Sequence, residues 1–240
     1  MPPRLTQTPI LCRRETSNHR GNIDARHRLL AIALLAGCAT SKNESVDEQS
    51  SAQPSSLQQY LLTAEDFPAG AKFQHPNQGE LRKATANNST ATSDDPGCTT
   101  RLTEANASAT DIDGINAVPR QGILLSALVV KPQYDLAAVA RSVVGRCAKQ
   151  TVTTPGIPVE MTFNHVPNSI PHSYVLRQTV ITRDDGSTVP STLVGYANRR
   201  DVTVSLFLIF LPAADTSGST EANVAEFEKY FARAVAKVGA

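Results

Sequence analysis

Tyr174-Val-Leu-Arg-Gln-Thr-Val-Ile-Thr-Arg183, Thr192-Leu-Val-Gly-Tyr-Ala197 and Val202-Thr-Val-Ser-Leu-Phe-Leu-Ile-Phe-Leu211 follow one another across short, punctuated gaps. Each is rich in β-branched, aromatic and large apolar residues and predicts a strand. Asp184-Asp-Gly186 is a hairpin turn signal, and Asn198-Arg-Arg-Asp201 turns the chain again. Strands joined so closely run antiparallel, because a parallel pair needs a crossover of roughly a dozen residues. Val202–Leu211 begins by alternating and ends apolar at both parities, as a strand entering a two-sided core does.

Outward from this meander, Val159-Glu-Met-Thr-Phe163 alternates as a fourth strand. Gly122-Ile-Leu-Leu-Ser-Ala-Leu-Val-Val130 is apolar at both parities and predicts a central strand. Asp135 caps a predicted helix running to about Lys149, with Leu136, Val139, Ala140, Val143 and Cys147 as its stripe. Arg146 and Lys149 fall in its last turn, where cations suit the helix dipole. Thr220 opens a final helix with Val224, Phe227, Phe231, Val235 and Val238 on one face. Leu57–Pro68 reads as a short helical lead-in, with Thr63 and Asp66 spaced to cap a turn. Residues 75–96 and the stretch ending at about Arg120 read as polar loops, separated by a short helix from Pro96 to Glu104 that carries Cys98. The fold class is α+β: an antiparallel β-sheet meander with a few helices packed against it, forming one domain over residues 57–240.

The N-terminus is of another kind. Its first 37 residues hold six of the 23 basic side chains and two of the 22 acidic ones. The near-neutral total therefore hides a basic leader and a mildly acidic remainder. That balance argues against nucleic acid as a partner, which calls for a basic face. Arg26-His-Arg28 precedes the apolar run Leu29–Gly37, and Cys38 follows at once. A positive flank, a short apolar run and small residues before the cut predict a signal peptide over residues 1–37. The run is about half of the ~20 residues a spanning helix needs. Leu35-Ala-Gly-Cys38 resembles the lipobox of bacterial lipoproteins, which implies diacylglyceryl and palmitate chains on Cys38 and attachment to the outer face of the cell membrane. Residues 1–25, long for such a flank, are read as an upstream, mis-called start. Residues 38–56 are Ser-, Gln- and Glu-rich and read as a disordered tether.

Two thiols remain, Cys98 and Cys147, an even number for an oxidising compartment. A disulfide is the first reading and buried free thiols the alternative. A nucleophilic cysteine would need an activating histidine, and neither has one nearby in sequence. No Cys-x-x-Cys pair, Gly-x-Ser-x-Gly elbow, Walker loop or His-Glu-x-x-His is present. His165 and His172 bracket a bent, two-proline loop without a third metal ligand. Asp111-Ile-Asp-Gly114 lacks the later acids of a calcium loop. No catalytic residue, metal or cofactor is assigned, and the reading is not an enzyme. Arg177 and Gln178 sit on opposite faces of the Tyr174 strand, so one of them interrupts an apolar row and is a candidate for orienting a ligand.

Tyr60-Leu-Leu-Thr-Ala-Glu-Asp-Phe67, Cys98, the Asp135–Lys149 segment with Cys147, Val202–Leu211 and Tyr230-Phe-Ala-Arg-Ala-Val-Ala-Lys-Val238 are similar in pattern and order to an actinobacterial family. The chain resembles actinobacterial cell-envelope lipoproteins, and its folded part resembles the extracellular sensor domain of actinobacterial serine/threonine kinases. The resemblance implies an antiparallel sheet with helices, a disulfide and a cleft for a small ligand. The function expected is a membrane-anchored, extracytoplasmic, non-catalytic sensor-like or ligand-binding domain. The alternative is a lipid or glycolipid carrier of the cell envelope, which needs a hollow between sheet and helices near Leu206–Leu211.

Overall fold

The computed structural model describes residues 56–89, 92–95, 97–98, 108–154, 157–182, 188–210 and 220–239. The leader, Cys38 and nearly all of the tether, the Asp184-Asp-Gly186 turn and residues 99–107 lie outside them. In chain order the elements are β1 (Lys72–Gln74), α1 (Gln78–Ser89), β2 (Thr92–Ser93), β3 (Asp111–Val118), β4 (Ile123–Lys131), α2 (Leu136–Arg141), β5 (Lys149–Thr154), β6 (Ile157–His165), β7 (Ser173–Thr182), β8 (Thr188–Arg199), β9 (Val202–Phe210) and α3 (Thr220–Gly239). The strands form one nine-stranded sheet in the order β1-β3-β4-β9-β8-β7-β6-β5-β2. Every neighbouring pair is antiparallel.

The meander is β5 to β9, and β9 returns beside β4 in register from Ile123 opposite Phe210 to Val130 opposite Thr203. This central pair is covered on both faces, which is why both of its sequences are apolar at both parities. On one face α3 places Phe227, Phe231 and Val235 against Leu125, Leu206 and Leu208, and the lead-in adds Leu57, Leu61 and Leu62. On the other, Leu81 of α1 and Val139 of α2 pack with Leu128, Val130, Val194 and Tyr196. The sheet is thus a filled middle layer at its centre. Leu206 and Leu208 are 0% exposed in the α3-side core, so the space where a carrier's hollow was expected holds side chains.

At Gly195 of β8 the helix sits directly on the sheet. A Cβ there would come within 2.8 Å of the Phe227 ring and 2.9 Å of the Phe231 ring. Glycine is what lets the two phenylalanines lie flat on the strand.

Three sequence expectations need correction. Residues 75–96 are not simply loop: they contain α1 and β2. Asn77 and Glu80 cap α1 reciprocally, the Asn77 N–H donating to Oε2 and the Glu80 N–H donating to Asn77 Oδ1, both at 2.9 Å. Leu81 is buried there, and the helix's other apolar residues are the alanines at 84 and 86, so the sequence carries no stripe of large apolar residues to mark the helix. The stretch before Arg120 likewise contains β3, whose Asp111 and Asp113 disguise it. Gly114 is required in β3, because a Cβ would meet Leu128 Cδ2 at 2.5 Å and the Ala127 carbonyl at 2.9 Å.

The third correction concerns the helix after Asp135. The cap is as expected, with Ala138 N–H donating to Asp135 Oδ1 at 2.9 Å. The helix, however, ends at Arg141 instead of running to Lys149. Ser142 Oγ donates to the Val139 carbonyl, β-branched Val143 and Val144 follow, and Gly145 takes a left-handed φ of 59°. The buried Gln150 side chain donates to the carbonyls of Ser142 (3.1 Å) and Cys147 (2.9 Å), so the broken end keeps its hydrogen bonds. Cys147 therefore lies in a 3₁₀ turn, and Lys149 opens β5. The disulfide is formed: Cys98 and Cys147 are bonded, their Cα atoms 5.3 Å apart and 49 positions apart in sequence. A loop of that size is worth up to about 4 kcal/mol in the chain-entropy account.

Asp66 fastens the lead-in to α3. Its carboxylate accepts from the Thr63 N–H at 2.7 Å and pairs with Lys237 at 2.9 Å, while Arg233 donates to its carbonyl. Burial alone would raise this carboxyl, but the Thr63 and Lys237 contacts outweigh it and hold it below its ordinary 3.8. A carboxyl lowered by folding stabilises above its unfolded value and ceases to do so as pH falls through its folded value. Asp66→Asn is expected to cost about 1 kcal/mol at pH 7 in urea denaturation, the gap from wild type closing below pH 3.8. Gly195→Ala is expected to destabilise by about 1–3 kcal/mol, with a lower midpoint and an unchanged m-value.

Candidate functional site

Where α2 leaves the sheet, it stands beside the start of β7 and the end of β8 and leaves an open cleft of about 610 Å³. One wall is apolar, formed by Leu136, Ala137 and Ala140 of α2. The other carries Tyr174, Ser173 and His172, with Gln133 and Asn198 at the end. Lys, Arg, Asp and Glu are all missing from this lining.

Asn198 organises the site. Its backbone N–H donates to the His172 carbonyl at 3.1 Å, and Nδ2 donates to the Tyr134 carbonyl at 2.9 Å. Its Oδ1 accepts from Thr203 Oγ1 at 2.8 Å, and that hydroxyl accepts from the Tyr134 N–H at 2.7 Å. One residue thus joins the end of β8 to the loop before β7 through its backbone, and to the start of β9 and the approach to α2 through its side chain. Thr203 is fully buried, so this chain of bonds works in a low dielectric, where each link is stronger. Gln133 is held similarly, Nε2 donating to the Arg200 carbonyl at 2.8 Å.

The β6–β7 loop is also fixed. Arg199 donates to the carbonyls of Asn198 (2.7 Å) and Pro171 (2.8 Å), and Asn168 Oδ1 accepts from the Ile170 N–H at 3.0 Å. His172 stands in the left-handed region at φ 51°. Tyr174 stacks on His165, ring centres 5.1 Å apart and planes 25° apart. Burial pushes the phenols of Tyr174, Tyr134 and Tyr196 up from their ordinary value, so all three stay neutral at physiological pH.

The cleft can therefore hold a neutral molecule between an apolar wall, an aromatic ring and two positioned amides. Among the described residues no group of three His, Cys, Asp or Glu side chains is placed to hold a metal.

The sequence candidates fall elsewhere. Arg177 is half-buried on the α3 side of β7, opposite Asn164 and Leu193. Gln178 faces the other side, opposite Phe163 and Thr192. Neither lines the cleft. On the α3 side, the surface around Arg177 carries Thr151, Thr162 and Thr179 and a Lys149–Glu160 ion pair at 3.0 Å, a polar half-sheet beyond the reach of the main core. Of the bracketing histidines, His165 backs Tyr174 and His172 enters the lining. Asp113 of the calcium-like run lies in β3, accepting from the Gly114 N–H. Gln133 and Asn198 carried no signal of their own, because the hydrogen bonds that place them span more than 60 positions.

These features define a disulfide-bonded α+β domain with a neutral, preformed cleft. No protein-family model matches the chain, and no curated protein matches it. Among solved structures it is similar to the extracellular domain of PknH from Mycobacterium tuberculosis, at 16% identity and a TM-score of 0.43, covering 75% of this chain and 92% of that one. It is also similar to a Mycobacterium smegmatis protein described as the Rv0999 ortholog, at 13% identity and a TM-score of 0.44, covering 73% and 93%.

Thr203→Val keeps the shape but removes the hydroxyl that accepts from the Tyr134 N–H and donates to Asn198 Oδ1. The expected cost is about 1–3 kcal/mol by denaturant titration, together with exchange broadening of the Asn198 side-chain amide in NMR spectra.

Proposed function

We propose that this protein is an extracytoplasmic lipoprotein, held to the membrane through Cys38, whose folded domain binds a small ligand without catalysis. The observation that carries the ligand-binding reading is the cleft beside α2, with its amides already positioned by hydrogen bonds to the protein. A site pre-organised in this way loses little entropy when a ligand enters, and its lining presents hydrogen-bonding and apolar groups rather than an acid–base pair.

Three observations support the location. The leader ends in Leu35-Ala-Gly-Cys38. Disulfides such as Cys98–Cys147 persist in oxidising compartments. The first buried side chain described is Leu57, just after the tether. As a coil, ~18 residues average roughly 24 Å end to end, enough to hold the domain off the bilayer. Among the described residues no helix is long and apolar enough to cross a membrane.

Two measurements test this. Cys38→Ser is expected to abolish incorporation of labelled palmitate and to move the protein from the membrane to the soluble fraction; equal membrane retention overturns the anchor. Titration of the isotope-labelled mature chain, carrying the same substitution, with a library of small neutral fragments is expected to shift backbone signals at Leu136, Tyr174 and Asn198. Shifts confined to other surfaces, or none, overturn the binding site.

A further inference from the structure

We infer that the ligand class of this cleft is a neutral saccharide, an inference that rests on the binding role proposed above. Four features of the lining converge on it. First, no carboxylate, ammonium or guanidinium lines the cleft, and apart from the His172 imidazole it offers a charged ligand no counter-charge. Second, two amides are fixed but not exhausted. A primary amide has two N–H donors and two acceptor lone pairs. Asn198 uses one of each, so one donor and one acceptor remain on the same planar group. Gln133 uses a single N–H, leaving a donor and its whole carbonyl. Adjacent donor and acceptor on one planar group match a vicinal diol, whose two hydroxyls accept and donate in turn.

Third, Tyr174 lies in the lining with its ring stacked on His165. An aromatic face carries partial negative charge and attracts polarised C–H bonds. The axial C–H groups of a pyranose, drawn positive by the ring oxygens, form such a surface. Fourth, the opposite wall of Leu136, Ala137 and Ala140 offers aliphatic contact without a competing polar group. A ligand polar at its edges and apolar on its faces fits this order of walls. A lipid tail would bury the amides' free groups unpaired, at about 1–3 kcal/mol for each.

The place of the cleft in the molecule bears on the source of the sugar. Ser56, where the tether joins the domain, lies against Asp111, which is opposite Lys131 in the sheet. Gln133 follows Lys131 by two residues, and Lys131 pairs with Asp201 of the β8–β9 turn at 2.6 Å. The tether thus leaves from the end of the sheet that carries the cleft. A saccharide reaches that end either as a free oligosaccharide or as the headgroup of a glycolipid in the bilayer.

The test uses the mature chain with Cys38→Ser and two-dimensional NMR. Free lactose, maltose, cellobiose, trehalose and galactobiose are titrated separately, with lactobionate as an anionic control and digalactosyldiacylglycerol in phosphatidylcholine vesicles as the headgroup source. At least one neutral sugar is expected to shift Tyr174, Asn198 and Gln133 signals saturably and more strongly than lactobionate. Tyr174→Ala and Gln133→Ala, both at the rim, are each expected to weaken that binding tenfold or more while the rest of the spectrum stays folded. Binding to the vesicles but not to free galactobiose assigns the source to the headgroup, and the converse assigns it to free sugar. Preference for lactobionate, or no shift with any sugar source, overturns the saccharide inference. If neutral fragments still occupy the cleft in that case, the binding role stands without it. If neither sugars nor fragments do, both fall.

Discussion

The pairing of β4 with β9 is the constraint from which the rest of the architecture follows. The two strands meet across about 80 positions of sequence, and both are buried on both faces. A strand covered on both sides needs two layers of helix. α3 and the lead-in supply one, and α1 with α2 supply the other. The crowding is visible at Gly195 and Gly114, where any side chain would collide with the opposing layer or strand. Away from this axis the cover thins. The β5–β7 half keeps an apolar face only toward the disulfide side, and its other face is threonine, lysine and glutamate.

That gradient of cover is also what makes the cleft. α2 is too short to reach across β7, because the chain breaks after Arg141 to bring Cys147 to its partner and Lys149 into β5. The unfilled space beside the helix is bounded by the loop before β7 and the end of β8. Asn198 and Thr203 join those segments, and their bonds continue into the buried core. The same end of the sheet receives the tether. Ser56, the first described residue, lies at that end against Asp111.

What could be read from the sequence follows from how local each signal is. β4 and β9 announced themselves through unbroken apolar runs, α3 through its 3.6-residue stripe, and the disulfide through the parity of its cysteines. The Thr63–Asp66 and Asp135 caps were legible because both partners lie within three residues. α1 was not, although its own Asn77–Glu80 cap has the same spacing, because a helix whose sequence holds one large apolar residue, Leu81, lacks the periodicity that draws attention to it. β3 was hidden by Asp111 and Asp113. The helix after Asp135 is shorter than its stripe suggests, since apolar residues at Val143 and Cys147 also suit a 3₁₀ turn. Arg177 and Gln178 stand out in the sequence as polar interruptions within one strand. The groups that line the cleft, Gln133 and Asn198, are placed by partners dozens of residues away, which no local pattern encodes.

The central claim is that the cleft is a rigid extension of the doubly covered sheet, formed before any ligand arrives. Amide hydrogen exchange on the unliganded protein tests it directly, because exchange reports the free energy of local opening. The account predicts that the Asn198 and Tyr134 amides exchange as slowly as those of β4 and β9, at the rate of global unfolding. Exchange of Asn198 and Tyr134 at the rate of surface loops, with β4 and β9 still protected, would contradict it.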